Sequence, residues 1–136
     1  MAQAIDAGWV TPQTLQNAVT ATSYGNALGD RTTTMPTGDT WNANLTLEHY
    51  NAVLCVVTIS NSATVTFEGA SSGIANNTTT GWFGLFSLNM TTGTWATTAT
   101  SSGLYLVPTY GISEMRARVS TYSSGTITVV AQPGYM

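Results

Sequence analysis

Two arginines two residues apart, Arg116 and Arg118 in the string EMRARVSTY, are the most compact group of side chains in this sequence able to do polar chemistry. Alternate residues of a strand share a face, so Glu114, Arg116, Arg118, Ser120 and Tyr122 fall on one side, with Met115, Ala117, Val119 and Thr121 on the other. Such a row can pair with Glu114 and with Glu68 across the sheet or bridge to a neighbouring subunit, and in each case its chemistry is ionic contact. Catalysis asks for more. The chain carries one His, one Cys, six carboxylates and no Lys. His49 is the sole candidate base, and Glu48 beside it would point to the opposite face of a strand. A metal site would have to recruit Asp6, Asp39 or Glu68, and no spacing brings them together. No Gly-x-Ser-x-Gly elbow precedes a helix, and no Gly-rich phosphate loop separates a strand from a helix. Cys55, inside AVLCVVTIS, has neither base nor cation beside it and reads as a small buried hydrophobe. The sequence therefore predicts no catalytic residue, no metal site and no cofactor, and a protein that is not an enzyme.

The rest of the composition narrows the partners. Charged residues make up 7% of the 136, and the formal net charge is −3. Three cations leave no basic patch for a row of phosphates, which argues against nucleic acid and against acidic membrane surfaces. The longest apolar run, Ala52 to Val57, is far shorter than a membrane span. The opening MAQAIDAGW lacks the basic region and apolar core of a signal peptide, so synthesis and folding in a cytosol are expected. The four Asn-x-Thr triplets beginning at Asn44, Asn76, Asn77 and Asn89 are what an Asn- and Thr-rich chain produces by chance. A hydrophobic fraction of 43% with 10% aromatics is that of a folded domain, and 26 Thr with 12 Ser suit strand faces and turns.

These side chains need strands to hold them. Trp41 to Leu47 alternates. Ala52 to Ser60 is continuous and β-branched, predicting a strand buried on both faces, and Asn61-Ser62 reads as a two-residue turn into Ala63 to Glu68, hence a hairpin. Gly69 to Gly81 is a long polar loop and a candidate contact loop. Trp82 to Met90, Trp95 to Thr100 and Gly103 to Pro108 follow as strands, and Glu114 to Tyr122 turns at Ser123-Ser124-Gly125 into Thr126 to Ala131 as a second hairpin. Trp82, Phe83 and Phe86 suit a core, while Trp82, Trp95 and Tyr110 beside Asn-rich loops could form a glycan platform. The prediction is an all-β fold, an antiparallel β-sandwich of about seven or eight short strands over residues 41–136.

Residues 1–40 read differently. Thr11 can cap and Pro12 fits a first helical position, while Leu15, Ala18 and Val19 recur at helical spacing. One short helix near residues 12–20 is thus expected, in an N-terminal arm that packs on a neighbouring subunit or another protein and whose removal leaves a folded domain, the alternative being an irregular leader packed on its own domain. Trp9, Leu15, Tyr24 and Arg31 are its candidate contact residues; Trp82, Arg116 and Arg118 are those of the sandwich.

From Ala63 onward the order of pieces resembles a β-sandwich module of tailed-bacteriophage virion proteins. It runs as Thr64 to Gly69 (TVTFEG), a Gly-containing loop, a Trp-led strand at Trp82 to Leu88, Gly103 to Val107, Met115 to Tyr122 and Ser124 to Val130. The string R-x-R-V-S-x-Y-x-S-G-T, at Arg116 to Thr126, is its most distinctive part. The likeness covers about half the chain. Ser72-Gly73 stands where many such modules have Asp-Gly, and the path on to Trp82 is longer. Residues 1–40 have no counterpart. The resemblance implies a capsid decoration or cement protein, a head fibre or a tail-appendage part. It further implies a homotrimer on the outer surface of the virion capsid whose partner is the major capsid protein, with receptor or glycan binding as the alternative.

Overall fold

In a computed structural model, residues 12–29, 40–42, 47, 50–71 and 81–135 are described. The central strand is β4 (Ala52–Ile59): Val53, Cys55, Val57 and Ile59 point inward and are buried, whereas Leu54 is half-buried and Val56 is 50% exposed. The expected burial on both faces is therefore corrected to one face. On its two edges lie β12 (Ile127–Gly134) and β10 (Gly103–Pro108), both antiparallel. With β1 (Gln13–Val19) beyond β12, and β7 (Ser87–Asn89) and β8 (Thr94–Ala96) beyond β10, they form sheet A in the order β1-β12-β4-β10-β7-β8. Sheet B runs from β3 (Thr40–Asn42) and β2 (Asn26–Leu28) through β11 (Glu114–Ser124) and β5 (Ser62–Ala70) to β6 (Phe83–Gly84), with β9 (Thr98–Ala99) also on β5. The β2–β3 pair is parallel and the others are antiparallel. The all-β sandwich is thus observed. Between the sheets, Leu28, Val65, Phe67, Met115, Ala117 and Val119 meet Leu15, Val53, Cys55, Val57, Tyr105 and Val129, with the Phe67 and Tyr105 rings 5.8 Å apart.

Both expected hairpins are corrected. β4 and β5 lie in opposite sheets, and so do β11 and β12, so each turn is an arch from one sheet to the other. The arches nest: β12 pairs along β4 and β11 along β5, and the backbone N–H of Ser60 donates to Thr126 O at 3.1 Å while Thr126 N–H donates to Ser60 Oγ at 2.8 Å. Gly125, at φ +90, completes the packing, since a Cβ there would lie 2.6 Å from Ser60 Oγ. An arch and a hairpin give the same alternation, because both leave every second residue on the core. Two other expected strands bend between sheets. Trp82–Met90 divides into β6 in sheet B and β7 in sheet A, and Trp95–Thr100 divides into β8 and β9 in the reverse sense.

The expected helix near residues 12–20 is a strand over its described residues. β1 pairs with β12 as Gln13↔Ala131, Thr14↔Val130, Gln16↔Val129 and Val19↔Ile127, with two register shifts and Ala18 at φ 51. The bulges put Leu15 and Gln16 in successive buried positions, so the apolar pattern is no longer of period two and imitates a helical one. A two-turn helix is marginal alone, and the open edge of β12 offers a ladder of backbone partners. β2 likewise pairs with β11, as Met115↔Leu28 and Arg116↔Ala27. Two strands of the expected arm therefore belong to the sandwich.

Candidate functional site

Arg116 and Arg118 leave β11 on the outer face of sheet B, as their spacing predicts, while Met115, Ala117 and Val119 enter the core. Arg116 is paired on one side with Glu68 of β5 and on the other with Ala27 of β2. Its Nε donates to Glu68 Oε1 at 2.8 Å, and Arg118 grips the same carboxylate through Nε to Oε1 at 3.1 Å and Nη2 to Oε2 at 2.9 Å. The guanidinium of Arg116 also lies 4.6 Å from the ring centre of Tyr24 and 4.2 Å from that of Trp82, both within cation–π range. The small side chains of Ala27 and Ala70 leave room for Trp82, which packs on them and is 9% exposed. Beside the cluster, Glu114 is buried and accepts from Ser113 Oγ.

Tyr24 reaches this position through a bulge. Ser23 exchanges two backbone hydrogen bonds with Val119, and Ala27 is opposite Arg116, so four steps on one strand match three on the other. The gap is filled by Gln16, 2% exposed, whose Nε2 donates to Ser23 O at 3.0 Å and across the sandwich to Ala117 O at 2.8 Å. Gly25 makes the bulge possible: it sits at φ +72, and a Cβ there would come within 2.3 Å of Leu15 O and 2.4 Å of Gln16 Nε2. Gly25→Ala is expected to cost about 2 kcal/mol, seen as a lower urea midpoint with an unchanged slope, because a non-glycine residue in this conformation costs about 1–2 kcal/mol before any collision.

The electrostatics fit a closed clamp. Burial pushes the Glu68 carboxyl up, but the hydrogen bonds and charges of Arg118 and Arg116 outweigh it and hold the carboxyl below its usual range. Burial also weighs on Arg116 and lowers it from its ordinary value, with Glu68 opposing, whereas the hydrogen bond to Glu68 raises Arg118. Arg116 Nη1 is buried without a hydrogen-bond partner, which is tolerable for a guanidinium stacked against two rings. Ionic pairing with Glu68 is what the sequence suggested for this row. Nothing in it resembles a nucleophile and its base. Cys55 is buried, with its thiol pushed up to about 12 by desolvation, which makes it an unreactive core residue. No group of three or more potential metal ligands occurs among the described residues.

Of the candidate contact residues, the structure brings Tyr24, Trp82, Arg116 and Arg118 together. Leu15 is 1% exposed in the core, too deep for an intermolecular contact. Trp9, Arg31, Glu48 and His49 lie outside the described residues, as does most of the Gly69 to Gly81 loop. Of the aromatics considered as a glycan platform, Trp95 and Tyr110 are 52% and 71% exposed, while Trp82 is buried against Arg116. Sequence reasoning missed the Tyr24 and Trp82 rings on Arg116, and missed a recess of about 220 Å³ under the β7–β8 hairpin, lined by Ser87, Asn89, Thr94, Thr98, Ser101 and Tyr105 among others. The polar residues of β7 and β8 at alternate positions carried a signal for it. The Tyr105 hydroxyl is held there by Ser101 O at 2.8 Å.

The fold has relatives among solved structures. The SPBc2 prophage-derived protein YomS superposes with a TM-score of 0.64 at 17% identity over 90% of both chains. The PBSX exported protein XepA superposes with a TM-score of 0.68 at 14% identity, over 90% of this chain and 37% of that one, so this chain spans little more than a third of XepA. At these identities the likeness is one of fold. No family model matches the sequence, and no curated protein does.

Proposed function

We propose that this chain is a non-enzymatic structural protein of a phage virion, a capsid decoration or cement protein that binds the head through the major capsid protein as a homotrimer. The observation that carries the reading is the sandwich shared over 90% of the chain with two solved structures, one of which, YomS, is named as prophage-derived. The Arg116 to Thr126 string, which resembles virion modules, agrees with it. The ionic clamp on sheet B then serves as scaffold, fixing β2, β5 and β11 together. Stabilisation of the head is by mass action: a partner that binds only the assembled lattice adds about 4 kcal/mol when present at a thousand times its dissociation constant. Cosedimentation of the full chain with purified procapsids and expanded heads tests this. Saturable binding to expanded heads, with a rise in their melting temperature, is expected. Failure to bind either particle, with no gain in heat resistance, overturns it.

The recess favours a second reading, a glycan-binding module of a fibre or tail appendage. Its walls are hydroxyls, amides and small apolar groups without charge, which suits a neutral polyhydroxy ligand. Glycan-array binding that is lost in Asn89→Ala without loss of fold would select this reading over decoration.

A further inference from the structure

The β7–β8 hairpin is built inside out. A sandwich strand normally turns its apolar side chains to the opposite sheet and its polar ones to solvent. Here Ser87, Asn89 and Thr94 face the recess between the sheets, while Leu88 and its cross-strand partner Trp95 point away from it, Trp95 being 52% exposed. A slip of one residue would exchange the two faces and bring the apolar side chains indoors. The hairpin is instead fixed in this register, with the Asn89 carbonyl oxygen accepting from Gly93 N–H at 2.7 Å and Asn89 Oδ1 from Thr91 N–H at 2.9 Å.

The outward apolar side chains continue across sheet A from β8 to β12 and end on Gln132 and Thr14. One rank runs Gln132–Leu54–Leu106–Leu88–Trp95 through five paired strands, and the next runs Thr14–Val130–Val56–Leu104, with Met90 N–H bonded to Leu104 O at its end. Val56 and Met90 are 50% and 49% exposed. No ionisable side chain stands on this face among the described residues, whereas the outer face of sheet B carries the Arg–Glu clamp.

We propose that the outer face of sheet A is a self-association surface, covered by the same face of a second copy of this chain. This rests on the reading of the protein as a self-assembling virion subunit and names the face that assembles. Charge and shape select the occupant. An uncharged face offers no counter-charge to a charged partner and meets no like-charge repulsion from itself. Its side chains also differ along the face, apolar and large at the β7–β8 end (Trp95, Met90, Leu88) and smaller or polar at the β1–β12 end (Thr14, Val130, Thr128, Gln132). A neighbouring copy turned about an axis along the strands lays its large end on this copy's small end, as the two layers of a sandwich core interdigitate. This contact is isologous and occupies the face on both copies, so it closes a two-fold pair. Six strands about 4.8 Å apart and two or three residues deep on one face give a footprint of roughly 400 Å² per copy. That is about half of the roughly 800 Å² per partner of a standard stable interface, so self-association in solution is expected to be weak and concentration-dependent, and tight only where copies are held side by side.

The test is the mass of the full chain by light scattering and sedimentation velocity across a concentration series, for wild type, Val56→Arg, Trp95→Ser and the sheet B control Ser120→Arg. Wild type and Ser120→Arg are expected to assemble with the same midpoint. The sheet A variants should raise that midpoint at least about 100-fold, since each places polar groups in the apolar contact. Unchanged melting temperatures, expected for half-exposed sites, separate loss of assembly from loss of fold, and Trp95→Ser serves should Val56→Arg unfold. A wild type that stays monomeric throughout, or sheet A variants that assemble as wild type does, overturns the proposal. Head binding is scored separately. A monomeric chain that still binds heads sinks the self-contact alone, and an assembling chain that binds no particle sinks the decoration reading alone.

Discussion

Glu68→Gln is expected to lower the stability of the sandwich by about 3 kcal/mol, and the melting temperature by about 12 °C. Both arginines converge on this one carboxylate, at 2.8 Å from Arg116 and 2.9 Å from Arg118. Removing its charge leaves the Arg116 side chain, 3% exposed, as a buried cation without a counter-ion. Breaking a buried pair from one side costs about 3–5 kcal/mol; the lower figure applies because the Arg118 side chain is 32% exposed and can turn to water. About 4 °C per kcal/mol is the scale for a domain of this size. The double variant Glu68→Gln with Arg116→Met should recover part of the loss, since no unpaired cation then remains under Trp82, and the non-additivity measures the coupling. A Glu68→Gln protein as stable as wild type by urea titration would show that the clamp is ornamental.

The same carboxylate sets a pH dependence. Glu68 is held below its ordinary value of 4.5 in the folded state, so its contribution is complete above that value and is lost as pH falls through the lower folded value. Wild type should lose stability steadily below about pH 4.5. Glu68→Gln should lack that part of the slope, and the two curves should converge in acid.

What the sequence disclosed and what it hid follow from the range of the forces involved. The alternation in Glu114 to Tyr122 placed Met115, Ala117 and Val119 in the core and the arginines outside because a strand's facing is set by its own residues. Pairing with Glu68 was legible as one option, since a short list of anions was available to two neighbouring cations. The Tyr24 and Trp82 rings on Arg116 were not legible, because they come from segments 92 and 34 positions away and meet only after β2, β5 and β11 have paired. Arches passed for hairpins at Asn61-Ser62 and Ser123 to Gly125 for a related reason: local turn chemistry reports a reversal, and only the occupancy of β4's two edges by β12 and β10 reports in which sheet the return strand lies. The helix expected near residues 12–20 failed where bulges disturbed the period of two, so that Leu15 and Val19 kept a spacing a helix would also produce.

That last correction changes what a truncation does. Removal of residues 2–39 is expected to abolish the cooperative fold, whereas removal of residues 2–11 should leave it intact. The longer deletion takes away β1 and β2, and with them Leu15, Gln16, Ala27 and Leu28, each no more than 2% exposed. Truncating a buried leucine to alanine alone costs about 2–5 kcal/mol. Losing two of them entirely, together with the ladders on β12 and β11, exceeds the roughly 5–15 kcal/mol by which a domain is stable. It also bares the Ala117 carbonyl that Gln16 covers, and leaves one side of Arg116 without Tyr24. The shorter deletion touches none of the described strands. Near-ultraviolet circular dichroism and a thermal melt distinguish the two outcomes: a single sharp transition in the 2–11 deletion, and no transition or a broad one in the 2–39 deletion. A cooperative melt in the 2–39 deletion would mean that β3 to β12 close a core by themselves and that β1 and β2 are additions to it. An effect of the N-terminal segment on head binding can therefore be read only from deletions that stop short of Pro12, because beyond it the sandwich and the contact are lost together.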